Sequence, residues 1–562
     1  MKMKFSPKFP ASAFGLVLAF AFFTTAQAQI SVCPTGCDHD SIQDAIDAAN
    51  PGDVIEVQPG TYEEVLEIVE KENITIQGDH RSNTTIRALN ADLVNWPAYH
   101  QSSTRKTAVL IDRSEDIHIS GFTFDFDNVG TGGGDTGLMM WNSTGSFEEN
   151  AFINRGIQGQ QVDVNAYVGA DETTIYNDNN RADVLFKNNE FENTGRIGLN
   201  VQNFVFLTIE NNSFEKTFDD PGYGIEMASL SNGVISNNTF NNFNIYFTDG
   251  SASSAIYIHN NFTDIFTDPF VKQVDVHNNS IDNCIYGLYI GSTSGGTHWN
   301  WMGNVSIEST VSGNNITNSE LAGVFVTDDG ASLGSGITAN FQNNVIDGGE
   351  YGYNLNTYWG DGSLDVSISN DDIRNADIGV KVIDFNDHYN DPSDSEYNIS
   401  VNQTSIVGYT SFAIRNQYDQ ITVVADCNWY DTNLYSEIED AISGEVVFVP
   451  FLEENPDGNT FSWSGTDTYS CTGETPIVIV DSDGNTYYYT DLEDALDDLP
   501  ASDGTPGSGG LLKFTDEDTG EVTYFIKDET GTVFQLIPTE DAMGNPGPSG
   551  LWIPTIYGPT PQ

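Results

Sequence analysis

The feature that most constrains this chain is a pair of asparagines that returns along its middle. Pairs stand at Asn188-Asn189, Asn211-Asn212, Asn237-Asn238, Asn260-Asn261, Asn278-Asn279, Asn314-Asn315 and Asn343-Asn344. A short β-type run precedes each pair, such as Val234-Ile235-Ser236 or Val274-Asp275-Val276-His277. One apolar residue follows most of them: Phe191, Phe214, Phe240, Ile281, Ile316 or Ile346. A loop then leads to a second run that opens on Gly198, Gly224, Gly287, Gly323, Gly352 or Gly379 and reads roughly Gly-Ile-x-Val. Spacing is irregular, 18 residues from Asn260 to Asn278 and 36 from Asn278 to Asn314. Such a repeat implies stacked units that each bury little alone. If each unit is a coil of short parallel strands, neighbouring coils lie ~4.8 Å apart and one loop per coil is free to grow. The turn between two strands leaves backbone groups unpaired inside the stack. An asparagine repeated there can bond its own turn and the asparagine of the next coil, and it tolerates left-handed backbone. The expected fold is all-β, a solenoid of parallel strands.

Both ends of the repeat carry marks of their own. Cys33-Pro-Thr-Gly-Cys37 precedes a stretch, residues 41–63, in which Ile42, Ala45, Ile46 and Ala49 line one side of a short helix and Pro59-Gly60-Thr61-Tyr62 leads into the first coil. At the far end Cys427-Asn428-Trp429-Tyr430 is followed by Gly444 to Leu452, reading GEVVFVPFL. The Asn-Asn and Gly-Ile-x-Val repeat resembles that of the right-handed parallel β-helix proteins of the pectin-lyase-like superfamily. The opening stretch resembles their N-terminal cap helix. The closing stretch is similar to their N-W-W-G and V-x-F-x-P-W-L end, from which Tyr430 and Asp431 depart. The resemblance covers residues 30–452 and implies a right-handed parallel β-helix with a cap helix. It implies no single activity, because the fold hosts lyases, hydrolases, epimerases, esterases and adhesins.

The rest of the chain divides around that body. Lys2, Lys4 and Lys8, the apolar run from Ala11 to Phe23 and the Ala26-Gln27-Ala28 site read as a signal peptide over residues 1–28. The β-helix is expected over 29–452, a polar linker over 453–475, and a small α+β module over 476–562. That module should hold a hairpin (Ile477 to Tyr489), a helix from Asp491 to Leu499, and hairpin turns at Thr519-Gly520 and Thr530-Gly531. No segment after the signal is apolar enough to cross a membrane. Acidic residues number 82 against 20 Lys and Arg, a formal net charge of -62. This excludes a nucleic-acid partner, since phosphate needs a basic footprint, and it repels polyuronates unless a cation bridges them. In an exported chain Cys33 and Cys37 should form a disulfide. Cys427 and Cys471 are placed to tie the end of the main body to the C-terminal segment, and Cys284 is expected as a buried thiol.

The active-site motifs of the superfamily's enzymes are missing. There is no paired-Asp arrangement, W-x-D-H or D-P-H, and Asp219-Asp220-Pro221-Gly222-Tyr223 lacks the histidine of the last. In the enzymes that this chain resembles, substrate lies along the sheet made by the Gly-Ile-x-Val strands. Side chains alternate there, so the third residue of each run should face solvent. That column reads Gln158, Asn200, Glu226, Tyr246, Tyr289, Phe325, Asn354 and Lys381. Glu226 and Lys381 are the expected acid or base, and Asn200, Tyr246, Tyr289, Phe325 and Asn354 the expected sugar-binding surface. Trp299, Trp301 and Trp359 stand in loops at its rim. Asp387, Asp391, Asp394 and Glu396 crowd one loop and suggest a Ca²⁺ site. His259 and His277 precede successive Asn pairs and should stack in one column, without the further ligands that a metal site needs. The expected function is engagement of extracellular polysaccharide or a cell-surface glycan, by a lyase, hydrolase or epimerase or by a binding protein. The alternative is a non-catalytic surface, adhesin or structural protein whose aromatic sheet face is partly covered.

Overall fold

The computed structural model describes residues 28–452, apart from connecting segments of which the longest are 155–161, 172–181, 261–269, 293–304, 329–335 and 385–395. Beyond 452 it describes only the strands between Ile477 and Pro554. The expected signal peptide, the linker and the helix of the C-terminal segment lie outside the described residues.

The coils build three sheets of 15, 12 and 14 strands, parallel throughout except for the short strand Val94–Asn95, which pairs antiparallel on the third sheet. The chain passes from the first sheet through the Asn turn to the short second sheet, then to the third, and returns to the first one coil further on. The result is a right-handed parallel β-helix. Its interior is a continuous apolar column in which equivalent residues stack. In the second sheet Phe124, Phe152, Phe191, Phe214 and Phe240 lie face to face, with centroids 4.5–5.2 Å apart from one coil to the next. Ile281, Ile316, Ile346, Ile373 and Ile406 continue the stack. The N-terminal opening is plugged by the helix Ile42–Ala48, whose Ile42, Ala45 and Ile46 enter this core. Glu64 of the first coil fixes the helix start by accepting from the Ser41 hydroxyl and the Ile42 and Gln43 amides, where a carboxylate also meets the positive end of the helix.

The asparagine pair divides its work between two residues. The first takes the left-handed conformation that turns the chain: φ is 55° at Asn188, 58° at Asn211, 56° at Asn237, 53° at Asn278 and 58° at Asn343. The residue after the turn points inward and forms the ladder; at Asn314-Asn315 this is the first asparagine, because Gly313 takes the turn with a φ of 66° and Asn315 enters the second-sheet strand. Asn212 Oδ1 accepts from both the backbone and the side-chain amide of Asn189, while Asn212 Nδ2 reaches Phe186 O at 2.9 Å and Asn238 Oδ1 at 3.0 Å. The pattern runs from Asn150 through Asn189, Asn212, Asn238, Asn279, Asn314 and Asn344 to Asp371. Asn260-Asn261 is no part of it. Asn238 bonds directly to Asn279, and Asn260 instead follows a third-sheet strand and donates to Val305 O. Replacing Asn238 by Leu should cost about 1–3 kcal/mol, because Ile209 O and the Asn212 amides lose buried partners. An unchanged urea midpoint in the variant would remove the ladder from the account of stability.

Cys33 and Cys37 are joined by a disulfide, and Cys284 is a buried free thiol, pushed up to about 12 by desolvation. Cys427 is disulfide-bonded; Cys471, its expected partner, lies outside the described residues. The strands after residue 476 form a seven-stranded, mainly antiparallel sheet, with Ile477–Val480 paired to Thr486–Tyr489 and Leu511–Thr515 to Val522–Asp528.

Candidate functional site

The glycine near the start of four third-sheet strands is required by packing. A Cβ on Gly287, Gly323, Gly352 or Gly379 would stand 2.3–2.5 Å from a methyl of Ile316, Ile346, Ile373 or Ile406. The strand crosses the isoleucine stack so closely that only hydrogen fits. The next residue faces the core and the one after faces outward, which puts one side chain per coil in line on the outer face. In register that column is Tyr167, Asn200, Glu226, Tyr257, Tyr289, Phe325, Asn354, Lys381 and Arg415.

Two positions of the expected column are corrected. Tyr246 lies outside the third sheet. It is exposed, and its hydroxyl donates to Glu320 at 3.0 Å. Its place is held by Tyr257 of the strand Ser254–His259, where Ala255 stands in the glycine position. Gln158 lies outside the described residues, and Tyr167 occupies that rung. Outward does not mean exposed, either: Asn200 and Glu226 are only 3% and 6% accessible. Below them Trp96, Trp141, Tyr167, Ile197 and Tyr223 belong to a second apolar cluster laid against the outside of the sheet. Trp96 lies 4.7 Å from Tyr167 at a tilt, and His100 lies 4.4 Å from Trp141, its imidazole pushed down to about 4 by burial. This cluster closes the face toward the N-terminal side. From Tyr257 to Arg415 the column is half-buried, a strip six coils long, or about 24 Å.

At the junction of closed and open parts stands a polar group that no motif in the sequence announces. His259, outward on the same strand as Tyr257, shares a 3.0 Å hydrogen bond between its Nε2 and Glu226 Oε1. Glu226 Oε2 accepts from the Asn200 side-chain amide. With Glu226 ionised, this bond selects the His259 tautomer that carries its proton on Nε2. Burial holds the imidazole below its ordinary value; Glu226 opposes this and Lys272 adds to it. His259 and His277 are thus not stacked neighbours. His277 belongs to the first sheet and bonds Ser312.

Beyond this pair runs a ladder of rings. Tyr257 lies 4.2 Å from the His259 ring, 5.0 Å from Tyr223 and 4.5 Å from Tyr289, and Tyr289 lies 4.7 Å from Phe325. Lys381 follows, its ammonium 4.5 Å above the Tyr351 ring and lowered by desolvation, against the pull of Glu350. Lys381 stands four rungs beyond Tyr257 and five from Glu226, too far to share one proton transfer with it. The side-chain oxygens of Asn200, Asn354 and Asn356 find no hydrogen-bond partner, although buried polar atoms ordinarily have one. Asn200 and Asn354 stand in the column, and Asn356 lies two residues further along the Asn354 strand. Trp299, Trp301, Trp359, Asp387, Asp391 and Asp394 lie outside the described residues. Glu396 is the exposed first residue of the strand Glu396–Asn402. Among the described residues no three His, Cys, Asp or Glu are grouped as metal ligands.

The family described as right-handed beta helix region matches residues 102–263 and 173–346. No curated protein matches the chain in sequence. Among solved structures it is similar to three carbohydrate-acting proteins. One is a pectin methylesterase from Erwinia chrysanthemi, at 16% identity over 47% of this chain and 81% of that one, with a TM-score of 0.29. Another is the A-module of a mannuronan C-5 epimerase from Azotobacter vinelandii, at 14% over 74% and 93%, with a TM-score of 0.34. The third is an α-1,3-glucanase catalytic unit from Streptomyces thermodiastaticus, at 11% over 78% and 71%, with a TM-score of 0.36. Likeness at this level carries nothing about substrate or reaction.

Proposed function

We propose that the outer face of the third sheet of this right-handed parallel β-helix protein binds extracellular polysaccharide and that Glu226 and His259 handle the proton in a reaction on it. The observation that carries this reading is the placement, on one face and in consecutive coils, of a desolvated carboxylate–imidazole pair and a ring ladder leading away from it. Rings in line offer apolar faces to sugar rings. The amide oxygens of Asn200, Asn354 and Asn356 are acceptors that hydroxyl groups would satisfy. The signal-like N-terminus and the Cys33–Cys37 disulfide fit an exported protein. Among the described residues no helix is long and apolar enough to cross a membrane.

The net charge narrows the ligand. At -62 the surface repels polyanions over the Debye length, so neutral glycans are favoured over polyuronates unless divalent cations bridge the two. The test is a polysaccharide panel read by calorimetry, reducing ends and unsaturated-product absorbance. Tyr257→Ala and Tyr289→Ala should each weaken binding about tenfold, the ~1.4 kcal/mol of one lost ring contact, without lowering the melting temperature much, since both rings lie outside the core. Equal binding by wild type and both variants on every ligand would remove the ring ladder from recognition. Binding without turnover would favour the non-catalytic adhesin reading.

A further inference from the structure

The strand Phe270–His277 breaks the alternation of this fold at one position. Phe270, Lys272, Val274 and Val276 point inward, Val271 and Gln273 outward. Lys272 therefore stands where an apolar residue belongs, and it is fully buried; its neighbour in the next coil is Ile307. Its ammonium donates to Ser231 Oγ at 3.0 Å and to Ser229 O at 3.3 Å, two neutral acceptors. Burying a cation on neutral partners costs stability that an apolar side chain would not, so packing does not explain this lysine. The acceptors belong to a tight buried turn, residues 228–231, in which Ser229 takes a φ of 53° and Ser231 donates to Ala228 O at 2.8 Å. That turn directly follows the strand Tyr223–Met227, which carries Glu226.

We propose that Lys272 is a positioning residue of the Glu226–His259 pair, an internal cation that holds the 228–231 turn from within the coil and acts on the pair from behind the sheet. The inference rests on reading that pair as the proton-handling group, but its test needs no substrate. The cation disfavours imidazolium at His259. The pair in turn bears on the lysine: burial lowers the Lys272 ammonium well below its ordinary range, and Glu226 opposes this. Asn200 beside Glu226, the Tyr257 ring on His259, and Tyr167 one coil below Asn200 are neutral; the charges of Arg105 and Asp171 act on Tyr167. Tyr167 is itself buried, and its phenol is held protonated.

The experiment tracks the His259 ring nitrogens by NMR across pH in the full chain, in wild type, Lys272→Met and Lys272→Arg. Removing the charge should move the His259 titration to higher pH, and Lys272→Arg should leave it at the wild-type position. A Lys272→Met protein that melts lower but titrates His259 as wild type does would make Lys272 a structural prop only and overturn the proposal. Should Lys272→Met fail to fold, Glu226→Gln serves instead. Loss of the carboxylate should shift the Lys272 ammonium titration to lower pH, and an unmoved titration also overturns the proposal. Glycan binding decides the underlying reading separately.

Discussion

Replacing Asp371 by Asn is expected to abolish the loss of stability that this carboxyl imposes between about pH 4 and about pH 7. Asp371 is the rung at which the ladder changes from amide to carboxyl. Its Oδ1 accepts from the Asn344 backbone and side-chain amides, and its Oδ2 accepts from the buried Tyr353 hydroxyl. Desolvation raises this carboxyl from 3.8 to about 7, with the neighbouring Asp372 charge adding to it and the Tyr353 and Asn344 bonds opposing. The folded state thus keeps a proton that the unfolded chain has released. Stability is full below the ordinary carboxylate value, falls as pH rises toward 7, and levels off above. That rise is worth up to ~4 kcal/mol. Urea midpoints at half-unit pH steps should slope downward in wild type and lie flat over this step in Asp371→Asn. Parallel curves would show that Asp371 is ionised in the folded ladder. Tyr353 loses an acceptor in the variant, so the pH slope, not the absolute midpoint, is the measurement.

The second large effect is kinetic. On any glycan that the wild type turns over, Glu226→Gln should lower kcat by about 10²–10⁴, since it removes the charge that orients His259 while keeping shape and hydrogen-bonding length. Binding should stay within about twofold. His259→Asn should cost a similar factor, and the double variant should cost little more than either one, because the two act as a unit. Burial disfavours imidazolium, so the acidic limb of the wild-type profile should fall below the ordinary histidine range. A limb at the ordinary value, or additive losses in the double variant, would separate the residues into independent roles.

Much of the fold is legible in the sequence because the β-helix repeats its physical problems. Each coil needs a left-handed residue, an inward amide, an apolar residue beneath it and a glycine where the third strand crosses that residue. These needs recur as Asn-Asn, Phe or Ile, and Gly. Misreadings arise where a dipeptide stands without its conformation, or a conformation without its dipeptide. Asn260-Asn261 has the letters but follows a third-sheet strand, and Asn370-Asp371 is a rung without the second Asn. Tyr246 enters the expected column because Ala255 replaces the glycine of the true strand. The run Ala255-Ile256-Tyr257-Ile258 is the available signal. The Glu226–His259 pairing joins residues 33 apart through the rise of one coil. Loop lengths set that separation, and no periodicity announces it. Nor does alternation reveal that Trp96 and Trp141 cover the outer face around Asn200.

The parallel register has a consequence of another kind. Every strand of the third sheet's main path runs the same way and every coil advances the same way, so the outer face has no two-fold axis. One terminus of the strip is the aromatic cluster and the Glu226–His259 pair; the opposite terminus is Lys381 and Arg415. A linear polymer whose two ends differ chemically therefore meets an asymmetric track. On the proposed reading, its two orientations along Tyr257, Tyr289 and Phe325 present opposite ends of a given bond to His259. The two senses of a chain bound there would then be inequivalent by geometry alone.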